Sequence, residues 1–258
     1  MNVQDMNIRE KPSSSASAEW ERRVELAACY RLLAHFRMAD LIYTHSSVRV
    51  PGEPGHFLIN PYGWRWEEIT ASSLVKINVQ GEKVDNSPHP VNNAGFVIHG
   101  AVHMARHDAA CVIHTHTKAG IALSCLKEGV LPLNQMAMQF FGRIGIHEYE
   151  GVASDLDERE RLIADLGNNR ALLLRNHGLL TLGRSVAQAF QLMYYLNLVC
   201  EVQIAARSTG SELVMPSREV CERTAAQYDR AELDKEGLDL EWAAHLRMLD
   251  KIDPSYRE

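Results

Sequence analysis

Two short apolar runs constrain this chain more than any other feature. Residues 110–116 and 171–175 are too brief for buried helices, and the first carries the β-prone Cys111, Val112 and Ile113. Both are therefore expected to be buried strands, which must be paired by other strands and covered by other elements. The first ends in His114-Thr115-His116. The second closes at Asn176-His177-Gly178 and continues as a strand over 179–182.

The rest of the chain supplies both kinds of element. Trp20, Val24, Ala28, Leu32 and Phe36 recur at intervals of four, so a helix is expected from an N-cap at Ser17 to about residue 38. Strands are expected at 42–50, 56–59 and 74–79, separated by turns such as Pro51-Gly52-Glu53-Pro54-Gly55. A helix should begin at Asn92 or Asn93 and run to about 106, another should cover 118–126, and 131–145 is expected to be rich in strand. A charged helix is expected over 155–166. Ser185 with Gln188 forms a capping-box signature for a long helix ending near 210. Helices at 217–227 and 238–249 close the chain. Residues 1–17, polar with a Ser cluster after Pro12, are expected to be a flexible tail. Residues 18–258 form one α/β domain with a C-terminal helical segment.

Composition narrows the function classes. With 27 Lys and Arg against 33 Asp and Glu, the net charge is −6, which gives nucleic acid or anionic lipid no electrostatic footprint. No apolar run approaches the roughly 20 residues needed to cross a bilayer. Five cysteines, odd in number and without a C-x-x-C pair, suggest neither a disulfide framework nor a Cys-rich zinc site. The expectation is a soluble, reduced, cytoplasmic protein without nucleic-acid or membrane partners.

On a strand, side chains two apart share a face, so His114 and His116 can reach one metal ion together. His177 also ends an apolar strand, although spacing alone does not bring it to that pair. Core-edge or surface histidines remain the plain alternative. A second group, His99, His103 and His107, is spaced by fours on a helix but lacks the Glu of the H-E-x-x-H pattern. These residues are expected mostly to be polar-edge or subunit-contact histidines, with His99 the member most apt to act. No dinucleotide, P-loop or nucleophile-elbow motif occurs.

Three stretches together resemble the class II aldolase/adducin family: Asn93-Ala94-Gly95-Phe96-Val97-Ile98-His99, Val112-Ile113-His114-Thr115-His116-Thr117, and Leu174-Arg175-Asn176-His177-Gly178-Leu179. The upstream Leu41-Ile42-Tyr43-Thr44-His45 and Ile69–Ile77 agree as well, and the wording is closer to the adducin head than to the sugar-phosphate aldolases. The resemblance implies a three-layer α/β/α sandwich with a largely antiparallel central sheet, and a homotetramer with sites at subunit boundaries. It also implies a divalent metal, zinc before iron or manganese, on His114, His116 and His177. There the metal acts as a Lewis acid on hydroxy-ketone oxygens while a carbon–carbon bond breaks.

The family's general acid/base is a glutamate nineteen residues before the first ligand histidine, where this chain has Gly95; Asn93 and Ala94 replace two phosphate-binding serines. A standard sugar-phosphate aldolase is therefore not expected. His99 and Tyr43 are the candidate catalytic residues; Asn93, His45 and Gly63 are the candidate substrate-binding residues. The leading function is a metal-dependent lyase, aldolase- or decarboxylase-like, on a small hydroxy or keto acid or sugar-derived substrate. A non-haem iron oxygenase and a non-catalytic adducin-like interaction module are the alternatives.

Overall fold

The computed structural model describes residues 15–151, 158–231 and 235–258. Seven strands, β1 (His45–Arg49), β2 (His56–Ile59), β3 (Val75–Asn78), β4 (Cys111–Thr115), β5 (Ile144–His147), β6 (Ala171–Leu174) and β7 (Gly178–Gly183), form one sheet in the order β3-β2-β1-β4-β7-β6-β5. Every neighbouring pair is antiparallel except β5 with β6. Among the described residues eight α-helices flank it: α1 (Ser15–His35), α2 (Asn93–Ala105), α3 (Lys118–Ser124), α4 (Gln135–Met138), α5 (Glu158–Leu166), α6 (Val186–Ser208), α7 (Arg218–Ala231) and α8 (Lys235–Ile252). This is the α/β architecture with a mostly antiparallel sheet that the resemblance implied.

The two apolar runs lie inside the sheet, β4 at its centre and β6 next to the edge strand β5, with β7 between them. Their alternation sorts the core into two layers. Cys111, Ile113, Ala171, Leu173 and Leu179 pack with α1, α3 and α6, whereas Val112, Leu172, Leu174, Leu180 and Leu182 pack with Ile98 and Val102 of α2 and Leu162 and Leu166 of α5. Complete burial of each such side chain contributes about 1.5–3 kcal/mol.

Some boundaries differ from expectation. Ser17 lies inside α1, which already includes Ser15; the tail expected over 1–17 otherwise falls on residues outside the described ones. Trp20 is 43% exposed, while Ala28 and Leu32 are fully buried, so the core-facing stripe of α1 begins only beyond Trp20. Residues 131–145 are not strand-rich. Asn134 caps the short α4 through its side chain, and strand structure starts only at Ile144, because the cap fixes a helical turn where apolar content alone suggested extension. The helix expected over 155–166 is described from Glu158 onward.

The C-terminal segment folds back on α1 and α6. Trp242 packs near Phe190, with ring centroids 5.9 Å apart, and the fully buried Tyr256 gives its carbonyl to Ala71 N–H. Arg31 ties the end of the chain down through Asp253 and Ser255. No helix among the described residues is long and apolar enough to cross a membrane. All five cysteines are free; Cys29, Cys111, Cys200 and Cys221 are buried and Cys125 is exposed.

Candidate metal centre

The end of β4 and the β6–β7 turn meet because β4 and β7 pair in register, Thr115 opposite Leu179. That pairing brings His177, two residues before Leu179, beside His114 and His116. The three side chains offer ligand nitrogens that all lie within 4.8 Å of one another. Gly178 makes the approach possible, since a Cβ there would run into the Thr115 carbonyl.

The outward-facing nitrogens are already committed. His114 Nδ1 donates to the Leu179 carbonyl at 2.9 Å, and His116 Nδ1 is 3.0 Å from the Asp40 carboxylate. With the proton on Nδ1, a neutral ring leaves Nε2 bare, and the two Nε2 atoms lie 2.9 Å apart. Two lone pairs facing each other repel unless a cation sits between them, so the donor set fits a divalent metal. Burial, with the neighbouring His177 and His116, pushes the His114 pKa well below its usual value; burial, with His116 and His147, lowers that of His177 to about 4. Both are neutral near pH 7, as ligation requires.

The site opens into a cavity of about 500 Å³ between β1, β4 and the β6–β7 turn. Tyr43, Tyr62, Tyr149, Ile98 and Ile121 give it an aromatic and apolar wall; Asn92 and Asn176 are polar, and Asp40 is its one carboxylate among the described lining residues. Neither Lys nor Arg is among those lining residues. Two non-glycine residues among them hold left-handed backbone: Thr44 at φ 65° and Asn176 at φ 54°. For the β-branched Thr44 that conformation costs roughly 1–3 kcal/mol, which the surrounding fold must supply.

The candidates from the sequence separate here. His114, His116, His177, His45 and Tyr43 share the cavity; His99 lies behind His45, and Gly63 is not a lining residue although Tyr62 is. The side chain of Asn93 lies outside the described ones. His103, expected at a polar edge or subunit contact, is instead 1% exposed and hydrogen-bonded inside the molecule, because α2 lays that face on β1. His107 is exposed. Asp40 and Ser47 were not anticipated: each acts through tertiary contact with a histidine 76 or 52 residues away.

The chain belongs to the class II aldolase and adducin N-terminal domain family, matching it over residues 24–204. It is 48% identical over 245 residues to a Pseudomonas aeruginosa protein named "Putative aldolase class 2 protein", covering 94% of each chain. The crystal structure of an aldolase II superfamily protein from Pseudomonas syringae superposes with a TM-score of 0.90 at 49% identity, over 97% of this chain and 98% of that one. Rat alpha-adducin is 44% identical over 185 residues, which are 70% of this chain but 25% of the adducin.

Proposed function

We propose that the chain is a metal-dependent carbon–carbon lyase, aldolase- or decarboxylase-like, acting in the cytoplasm on a small hydroxy or keto acid or sugar-derived compound without a phosphate. The observation that carries this reading is the facing pair of Nε2 atoms on His114 and His116 with His177 beside them. A divalent ion held there, zinc before iron or manganese, would supply Lewis-acid polarisation of a substrate carbonyl. Asp40 and the Leu179 carbonyl hold the first two rings in the tautomer that ligation needs.

Substrate class follows from the cavity wall. A phosphate is usually met by Arg, Lys or a helix N-terminus; the described lining residues include neither cation, although Asn92, next to the start of α2, brings a helix N-terminus to the cavity. Tyr43, Tyr62 and Ile121 suit an uncharged or aromatic body instead. Gly95, at the place of the family glutamate, supports a reaction that moves its proton through another group. With the adducin similarity, it also supports a place on the adducin-like branch. A homotetramer is part of the proposal, supported by Leu41, Tyr43 and Tyr149 left exposed near the mouth.

The test is elemental analysis of the purified protein beside His114→Ala and His177→Ala, followed by turnover assays. About one equivalent of metal per wild-type chain is expected, with neither variant retaining it and sugar phosphates cleaved negligibly. Stoichiometric metal in both variants would overturn the site. Robust cleavage of fuculose 1-phosphate would overturn the phosphate-free substrate class. A metal-free protein that takes up no added zinc would favour the adducin-like interaction module.

A further inference from the structure

The face of β1 that meets α2 carries a chain of hydrogen bonds that the three-histidine site does not use. His103 Nδ1 lies 3.3 Å from the Ala109 carbonyl, and its Nε2 lies 2.8 Å from Ser47 Oγ. Ser47 Oγ is 2.6 Å from His99 Nδ1, and His99 Nε2 is 2.8 Å from His45 Nδ1. The geometry follows from two periodicities: His45 and Ser47 are two apart on a strand, and His99 and His103 are four apart on a helix. All four side chains are at most 5% exposed.

This chain has a direction. A carbonyl oxygen only accepts, so His103 Nδ1 must carry the proton. In a neutral ring, Nε2 is then bare and takes the single hydroxyl proton of Ser47. The Ser47 oxygen is left to accept from His99 Nδ1–H, which makes His99 Nε2 bare. His99 Nε2 in turn accepts from His45 Nδ1–H. The opposite direction would require the Ala109 carbonyl to donate.

The neutral forms are those that burial favours. It pushes His99 well below the usual imidazole range and His103 to about 3, where the Arg49 charge adds to it. Arg49 is pinned alongside by the Ala109 and His103 carbonyls. Because the chain ends on a backbone carbonyl, it has no proton exit at its far end. It is a tautomer lock rather than a conduit.

The consequence falls on the cavity. His45 lines it beside His114, with ring centroids 5.6 Å apart, and its Nδ1 is taken by His99. Its remaining nitrogen, Nε2, makes no hydrogen bond to other side chains or backbone among the described residues.

We propose that His45 Nε2 is a fixed hydrogen-bond acceptor that selects ligands carrying an O–H beside their metal-binding oxygens, as a 2-hydroxy acid or hydroxy-ketone does, and that Ser47, His99 and His103 are positioning residues for it. The choice of ligand rests on the lyase reading above; the locked tautomer stands without it. Two measurements test the proposal. In metal-free, full-length protein with ¹⁵N-labelled histidine, long-range ¹H–¹⁵N spectra at neutral pH should show His45, His99 and His103 protonated at Nδ1. Ser47→Ala should turn His45 into a mixture of tautomers. In zinc-loaded protein, lactate should bind roughly 3- to 10-fold more tightly than 2-methoxypropionate, which keeps the oxygen but loses the proton. Ser47→Ala should abolish that preference at unchanged zinc content.

A wild-type His45 protonated at Nε2, or equal binding of the two probes by wild-type protein, would overturn the proposal. If the chain takes up no zinc, the lyase reading fails and the tautomer spectrum alone decides this one.

Discussion

Asp40 shows how much a single residue outside the ligand set can do. Its carboxylate fixes His116 Nδ1 at 3.0 Å, so it decides which nitrogen of that ring faces His114. Removing such an outer partner typically costs 10- to 100-fold in metal affinity. Asp40→Asn is therefore expected to bind zinc about 10- to 100-fold more weakly than wild type, in competition with a chromophoric chelator, while the fold is retained. An unchanged affinity would mean that the Leu179 carbonyl and the packing of the rings suffice. Thr44 makes a related point, since its left-handed backbone sits where His45 must be presented, and a glycine would adopt that geometry without strain.

Among the elements, the antiparallel pair β4–β7 builds the centre. Its register sets the distance between His114 and the β6–β7 turn, and Gly178 lets the turn close against β4. Gly178→Ala should force the turn away from the Thr115 carbonyl, also crowding the His116 ring. A loss of about 1–3 kcal/mol in urea unfolding is expected, together with weakened zinc binding. Wild-type stability and wild-type zinc affinity in that variant would show that the turn can give way without moving His177. The helical C-terminal segment serves a different end: Tyr256 and Trp242 seal the α1–α6 side, away from the cavity, and none of its described residues lines the site.

The whole molecule carries an unusual load of neutral buried imidazole. His45, His99, His103 and His114 are at most 5% exposed, and burial holds the pKa of each below the usual value. In the unfolded chain the same groups titrate near 6.5. Below about pH 6.5 the unfolded state therefore binds more protons than the folded one, and stability falls as pH falls. Each such histidine contributes up to about 1.4 kcal/mol per pH unit over that window. The metal-free protein should lose stability steeply between about pH 6.5 and 5, with uptake of more than one proton on unfolding, and zinc should oppose the loss. Denaturation midpoints that stay flat over that range would contradict the buried, neutral state of the cluster.

Much of this was legible in the chain itself. The alternation of short apolar runs with helix-period stretches determined an α/β domain, because strand and helix periodicities are local properties of backbone geometry. His114-Thr115-His116 declared itself for the same reason: two residues apart on a strand means one face. The N-cap at Asn134, which converts part of an apolar stretch into α4, was also present as a residue type but was outweighed by the apolar content around it. What the sequence could not determine was distance across the fold. The approach of His177 to His114 depends on the β4–β7 register, the Asp40 anchor on a contact across 76 residues, and the His45–His99–Ser47–His103 lock on the angle at which α2 lies over β1. Those choices belong to the tertiary structure, since a hydrogen bond needs its atoms within about 3 Å and only the packed sheet and its helices set positions that closely.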